Sequence, residues 1–183
     1  MSFEFEQPES IENSAGGWMT KEGLYHFIVN DINESPTTKD HKPIENALGI
    51  KLEVLAGTNP DQVGKSIDLL FYKGRPEDKD KGEFAKKKLM RFFMAINLLK
   101  QHQPGAKVKI EPSDGVGQQL CAKLSYRESK DGSKKFLDIS FADIWHVDDS
   151  EAKDIPKDPE ALGLIDASNR KNRQQEVASL VDV

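Results

Sequence analysis

One segment of this chain has the residue spacing of a helix, whereas the other patterned segments have the spacing of strands. Between residues 83 and 100, apolar side chains recur every three or four positions, which places them on one helical face. Pro104 and Gly105 follow and predict the end of this helix. The apolar face consists of Ala85, Leu89, Phe92, Ile96 and Leu99.

The segments that alternate as strands come as three before the helix and two after it. They are rich in β-branched and aromatic residues, and most alternate apolar with polar side chains. The Asp131-Gly132 pair between the last two is typical of a hairpin turn. The predicted strands cover residues 23–32, 47–57, 66–74, 118–129 and 135–147.

Three strands, one helix and two strands are the element order of the OB-fold, a five-stranded and partly open barrel. We therefore predict a mainly β domain over residues 21–149, with the helix between strands 3 and 4 plugging the base of the barrel. A curled sheet with a packed helix in another α+β fold would give the same pattern. Residues 1–20 are predicted to form an N-terminal arm, and residues 150–183 a partly disordered C-terminal tail.

Charge is distributed unevenly along the chain. The formal net charge is −5, yet residues 73–135 contain sixteen Lys or Arg against eight Asp or Glu. Residues 1–15 hold four Glu and no base, and residues 148–183 hold nine acids against five bases. A basic body between acidic ends is typical of a polyanion-binding protein, although chance gives many charged proteins the same arrangement.

Common signatures of catalysis are missing from the sequence. It contains no phosphate-binding glycine loop, no Gly-x-Ser-x-Gly and no His-Glu-x-x-His motif, and its four histidines are scattered. The single cysteine, Cys121, cannot form an internal disulfide, which fits a reducing cytoplasm. No apolar run reaches the length of a membrane span, and the acidic N-terminus is unlike a signal peptide. We expect a cytoplasmic, non-enzymatic protein without a cofactor or metal.

Proteins that bind single strands combine a basic groove with aromatic side chains on which bases stack. In an OB-fold, this surface is the face of strands 2 and 3 with the loops between strands 1–2 and 4–5. Trp18 and Tyr72 are the predicted stacking residues, because each adjoins glycine or charge. Trp18 would serve equally well to anchor the N-terminal arm. The aromatic residues on apolar stripes are predicted to be core: Phe71, Phe92, Tyr126 and Phe141.

The same strands and loops supply the predicted phosphate contacts. If the barrel forms, these basic side chains should converge on one surface, whereas each of them alone has the character of a solvated lysine or arginine. The candidates are Lys39, Lys42, Lys51, Lys73, Arg75, Lys123, Arg127, Lys130, Lys134 and Lys135.

The segments "MSFEFE", "GLYHFIVNDI", "GIKLEVLAG", "GKSIDLLFYKG", "AKKKLMRFFMAINLL" and "LCAKLSYRESKDGSKKFLDISFADIWHV" share one layout. In that layout, residues 1–147 resemble phage-encoded single-stranded DNA-binding proteins with an OB-fold. The resemblance implies sequence-tolerant binding of single-stranded DNA in replication, recombination or repair, in the host cytoplasm. In bacterial single-strand binders, an acidic tip ending in Phe recruits partners. This chain ends "EVASLVDV", which leaves the acidic part of the C-terminal tail as the candidate contact for replication or recombination proteins.

Two alternatives remain open. The helix carries a second apolar stripe, Met90, Met94 and Leu98, which is too apolar for bare solvent and should be covered by the arm, the tail or a second subunit. This stripe and the acidic tail would suit a protein–protein interaction module of a replication or recombination complex. A small metal-dependent nuclease with scattered Asp residues is the other alternative.

Overall fold

The computed structural model describes residues 17–100 and 104–170, so most of the predicted N-terminal arm and the last part of the predicted tail lie outside the described residues. The prediction of a mainly β chain with one main helix is confirmed. Within these ranges the strands are β1 (Gly17–Trp18), β2 (Gly23–Asn33), β3 (Ala47–Gly57), β4 (Lys65–Tyr72), β5 (Gln119–Glu128) and β6 (Lys135–Trp145), and the helices are α1 (Asp80–Ala95) and α2 (Pro159–Gly163).

The strands form one mixed sheet in the order β1-β4-β3-β2-β5-β6. All neighbouring strands are antiparallel except β1 and β4, which are parallel. Neither β1 nor β4 pairs with β6, so the sheet is not closed within the described ranges. The sequence did not predict β1, because a strand of two residues has no periodicity to detect.

Helix α1 lies between the two strands that fail to pair. Its Phe92 ring packs on Phe71 of β4, with 4.9 Å between the ring centroids. On the other side, Phe84 meets the edge of Phe141 in β6 at 4.8 Å. The predicted apolar face is buried at Leu89, Phe92, Ile96 and Leu99, and half-buried at Ala85. The helix therefore packs against both strands at one end of the gap between them.

The second stripe of α1 also packs inside the chain. Met90, Met94 and Leu98 are half-buried against the same hydrophobic core, so the protein itself covers much of this stripe. The helix ends at Ala95, earlier than its apolar spacing indicated. Two residues later, Asn97 adopts a left-handed backbone conformation with φ 63°, which turns the chain away from the helix axis.

Residues 146–170 fold over the outer face of β2 and β5, although their sequence lacks periodicity. Val147, Ala152 and Ile155 bury the thiol-bearing side chain of Cys121 in a second, smaller core. Arg170 closes the segment through two hydrogen bonds to the Asp148 carboxylate, at 2.9 and 2.8 Å. The described part of the predicted tail is therefore a packed cover of the sheet.

A buried polar network fixes this cover to the sheet. The Asp158 backbone N–H donates to His26 Nδ1 (3.1 Å), so Nε2 carries the ring proton and donates to Gln119 Oε1 (2.8 Å). The Gln119 amide in turn donates to the Ala161 carbonyl at 2.6 Å. Burial disfavours the charged imidazolium and lowers the pKa of His26 below its ordinary value.

Candidate nucleic-acid interface

A groove lies where β4 and β6 fail to pair, at the start of both strands and away from α1. One wall is the edge formed by β1 and β4, and the other is the hairpin of β5 and β6. Side chains of the loop between β2 and β3 reach the same groove. The lining residues are Trp18, Met19, Thr20, Lys39, Ser66, Ile67, Asp68, Tyr126, Lys135, Phe136 and Leu137.

Trp18 is held by its backbone and presents its ring to solvent. Gly17 and Trp18 pair with Lys65 and Ser66 of β4, and the Met19 N–H donates to the Ser66 carbonyl at 2.9 Å. Because side chains alternate along a strand, Met19 points inward and is 8% exposed, whereas Trp18 is 60% exposed. Met19 therefore anchors this segment, which leaves the Trp18 ring available for stacking.

Two further aromatic rings are exposed in the same groove. Tyr126 is 42% exposed and donates its hydroxyl hydrogen to the Thr20 carbonyl, so its prediction as a core residue was wrong. The apolar alternation of β5 continues to Tyr126, but the hydrophobic core on that face ends at Leu124. Phe136 is 45% exposed and was not predicted. It follows two lysines in the sequence, the same signal that selected Tyr72.

Two of the predicted basic residues, Lys39 and Lys135, line this groove. Lys51 lies beside it, in an adjoining depression with Gly17 and Ser66, and its Nζ is 5.6 Å from the centroid of the Trp18 ring. Lys39 stands near the tip of a small loop that is closed by a hydrogen bond from the Thr38 N–H to the Lys42 carbonyl (2.8 Å). Asp68 also lines the groove, and it lies opposite Lys51 in the register of β3 and β4.

The hairpin that carries Lys130, Lys134 and Lys135 has a fixed turn. The Asp131 carboxylate accepts hydrogen bonds from the Ser129 hydroxyl (2.6 Å) and from the hydroxyl and N–H of Ser133 (2.7 and 3.0 Å). These donors stabilise the charged carboxylate and lower the pKa of Asp131 to about 2. Lys130 and Lys134 are exposed at this turn, next to the groove wall.

The structure does not bring the remaining candidates into the groove. Tyr72 is 46% exposed, but it lies with Lys73 and Arg75 at the far end of β4, where Arg75 Nη2 is 3.6 Å from the Glu45 carboxylate. Lys42 is exposed at the base of its loop. Lys123 is exposed beside Leu24, on the face that residues 146–170 cover.

Arg127 is paired within the protein. Its Nη1 lies 2.6 Å from Asp138 Oδ2, and Lys88 Nζ of α1 lies 3.3 Å from Asp138 Oδ1. The side chains of Lys88 and Asp138 are 14% and 15% exposed, whereas that of Arg127 is 59% exposed. Two cations therefore share one carboxylate at the middle of β6, with an excess of positive charge at the surface.

Comparisons with known proteins provide no assignment. No protein-family model matches the chain, and a search of curated proteins finds no match either. Across residues 17–100 and 104–170, no group of three or more His, Cys, Asp or Glu side chains could hold a metal ion. No helix of that part of the chain is long and apolar enough to cross a membrane.

Proposed function

We propose that this protein binds single-stranded DNA, with little sequence preference, in the groove between the β1–β4 edge and the β5–β6 hairpin. Its role would lie in DNA replication, recombination or repair. The observation that carries the proposal is that three exposed aromatic residues, Trp18, Tyr126 and Phe136, line one groove together with Lys39 and Lys135.

The chemistry of this groove suits an unpaired strand. Every base has a flat face, so stacking on an aromatic ring contributes ~1–3 kcal/mol per base with little regard to sequence. The lysines would neutralise phosphates and release counterions. A monomeric protein seldom leaves several large aromatic side chains exposed in one place unless the surface binds something.

The proposed fold is an OB-fold whose barrel stays open. The order β4-β3-β2-β5-β6, with α1 between β4 and β5 in the chain, is compatible with that topology. In this numbering the loop between β2 and β3 carries Lys39, and the β5–β6 hairpin carries Lys135 and Phe136. These are the two loops with which OB-folds bind oligonucleotides.

A titration with labelled oligo-dT tests the proposal. Reversing Lys39 and Lys135 to Glu should weaken binding and reduce the salt dependence, because each phosphate contact on a single strand contributes about 0.7 to the slope of log K against log salt. Lys107→Glu is the matched control for each single reversal, Lys39→Glu or Lys135→Glu, since Lys107 is exposed outside the groove and each of these reversals changes the net charge by the same amount.

Two results would contradict the proposal. The first is failure of the full chain to bind oligo-dT even at low salt, in which case the protein-interaction alternative takes its place. The second is that Lys107→Glu weakens binding as much as the groove reversals do, which would mean that attraction is a property of overall charge and has no defined site.

A further inference from the structure

A second exposed aromatic surface lies on the other side of β6, at the start of α1. Phe84 is 51% exposed, and its ring meets Phe141 edge-on at 4.8 Å. The Arg91 guanidinium lies 6.0 Å from the centroid of the Phe141 ring, and its Nη1 donates to the Phe141 carbonyl at 3.4 Å. Phe84, Phe141 and Arg91 are called the Phe84 surface below.

The position of Phe84 on α1 is not explained by packing of the core. The buried residues of the helix include Leu89, Phe92 and Phe93, whereas half of the Phe84 side chain faces solvent. Residues three, four and seven positions away along a helix share its face, and here these are the bases Lys81, Lys87, Lys88 and Arg91 and one acid, Asp80. The exposed ring is therefore set among basic side chains.

Strand β6 joins the Phe84 surface to the groove. Phe136 borders the groove, and Phe141 lies five residues further along the same strand, at most about 16 Å away at ~3.3 Å per residue, because the pairing of β6 with β5 shifts register between Ile139 and Ile144. Midway between them, the Asp138 carboxylate is held by Lys88 and Arg127. Because one carboxylate faces two cations, this part of β6 has excess positive charge that can attract a phosphate.

We propose that a single strand leaving the groove crosses β6 over the Arg127–Lys88 pair and stacks a further base on the Phe84 surface. This inference rests on the proposed function and extends it to a second stacking position. The occupant is nucleic acid because a flat aromatic face among basic side chains is complementary to bases and phosphates.

The length of the bound strand distinguishes the two positions. Oligo-dT of about 4 nucleotides should occupy only the groove, whereas about 16 nucleotides, the upper site size of an OB-fold, should reach Phe84 as well. In the full chain, Phe84→Ala should weaken binding of the long oligonucleotide by about 5- to 150-fold and leave the short one unchanged. Arg91→Gln should lower the salt slope for the long oligonucleotide only.

Leu164→Ala is the control, because Leu164 is an exposed apolar residue in the segment that covers the outer face of the sheet. Unchanged binding of the long oligonucleotide by Phe84→Ala, while Trp18→Ala weakens both lengths, would overturn the inference and leave the proposed function standing. An equal loss of affinity for both oligonucleotides in Phe84→Ala would also overturn it, because Phe84 would then affect binding only by stabilising the fold. Absence of binding to either length by the unmodified chain would refute the proposed function itself.

Discussion

Asp138→Asn should destabilise the fold and tighten DNA binding at the same time. Asp138 joins β6 to α1 through Lys88 (3.3 Å) and also holds Arg127 (2.6 Å). Asparagine has nearly the same shape, and its oxygen can still accept the Ile139 N–H, which is 2.8 Å from Asp138 Oδ1. The substitution therefore removes the charge and keeps the local packing.

The two halves of this ion pair should contribute unequally to stability. Lys88 is largely buried, and a hydrogen bond that involves a charged group contributes ~1.5–3 kcal/mol. Arg127 is mostly exposed, and an exposed ion pair contributes ~0–1 kcal/mol. We expect Asp138→Asn to lower the free energy of unfolding by about 2–4 kcal/mol, and Arg127→Gln by less than about 1 kcal/mol.

Urea unfolding followed by tryptophan fluorescence measures the stability, and titration with long oligo-dT measures the binding. Freed from Asp138, Arg127 can contact a phosphate, so Asp138→Asn should bind more tightly and Arg127→Gln less tightly than the unmodified chain. The reasoning is refuted if Asp138→Asn costs no more stability than Arg127→Gln, or if both substitutions weaken binding.

Three further predictions concern single side chains. Burial lowers the pKa of His26 below 6.5, so near that pH the unfolded state binds a proton that the folded state does not. The free energy of unfolding should therefore fall as the pH decreases below about 6.5. Urea unfolding at several pH values measures this dependence, and His26→Asn should flatten it. Cys121 is buried, and burial raises its pKa to about 12. A thiol reagent should therefore label Cys121 in denaturant and not in the native protein. Rapid labelling of the native protein would show that residues 146–170 open away from the sheet. Tyr126→Phe removes the hydrogen bond to the Thr20 carbonyl and should cost about 1 kcal/mol in thermal or urea unfolding. Since the ring remains, its affinity for oligo-dT should stay close to that of the unmodified chain.

The strands and the main helix were predictable because the local periodicity of apolar residues indicates which of their side chains are buried. Leu89 and Phe92 recur at helical spacing and are buried where that spacing places them. The folded segment 146–170 was not predictable in this way. Its order depends on contacts distant in sequence, such as the Gln119 amide with the Ala161 carbonyl, and such contacts leave no periodic pattern.

The candidate site was predictable in part. Trp18 was selected because its ring adjoins glycine, and Lys135 because it follows a predicted turn; the structure places both in one groove. Lys51 was selected because alternation turns it outward, and it lies beside that groove, next to Trp18. Tyr126 was misjudged because alternation gives the face of a residue and not the point at which the covered part of that face ends. Which lysine and arginine side chains lie at the same groove depends on the relative positions of the ends of β4 and β6. Those positions are set by the sheet as a whole.

Photocrosslinking of oligo-dT to the full chain, followed by mapping of the modified residues, tests the central claim most directly. A base stacked in the groove should crosslink to Trp18, Tyr126 or Phe136, and Trp18→Ala should reduce the total yield. Crosslinks confined to aromatic residues away from the groove, such as Tyr72 or Trp145, would contradict the account.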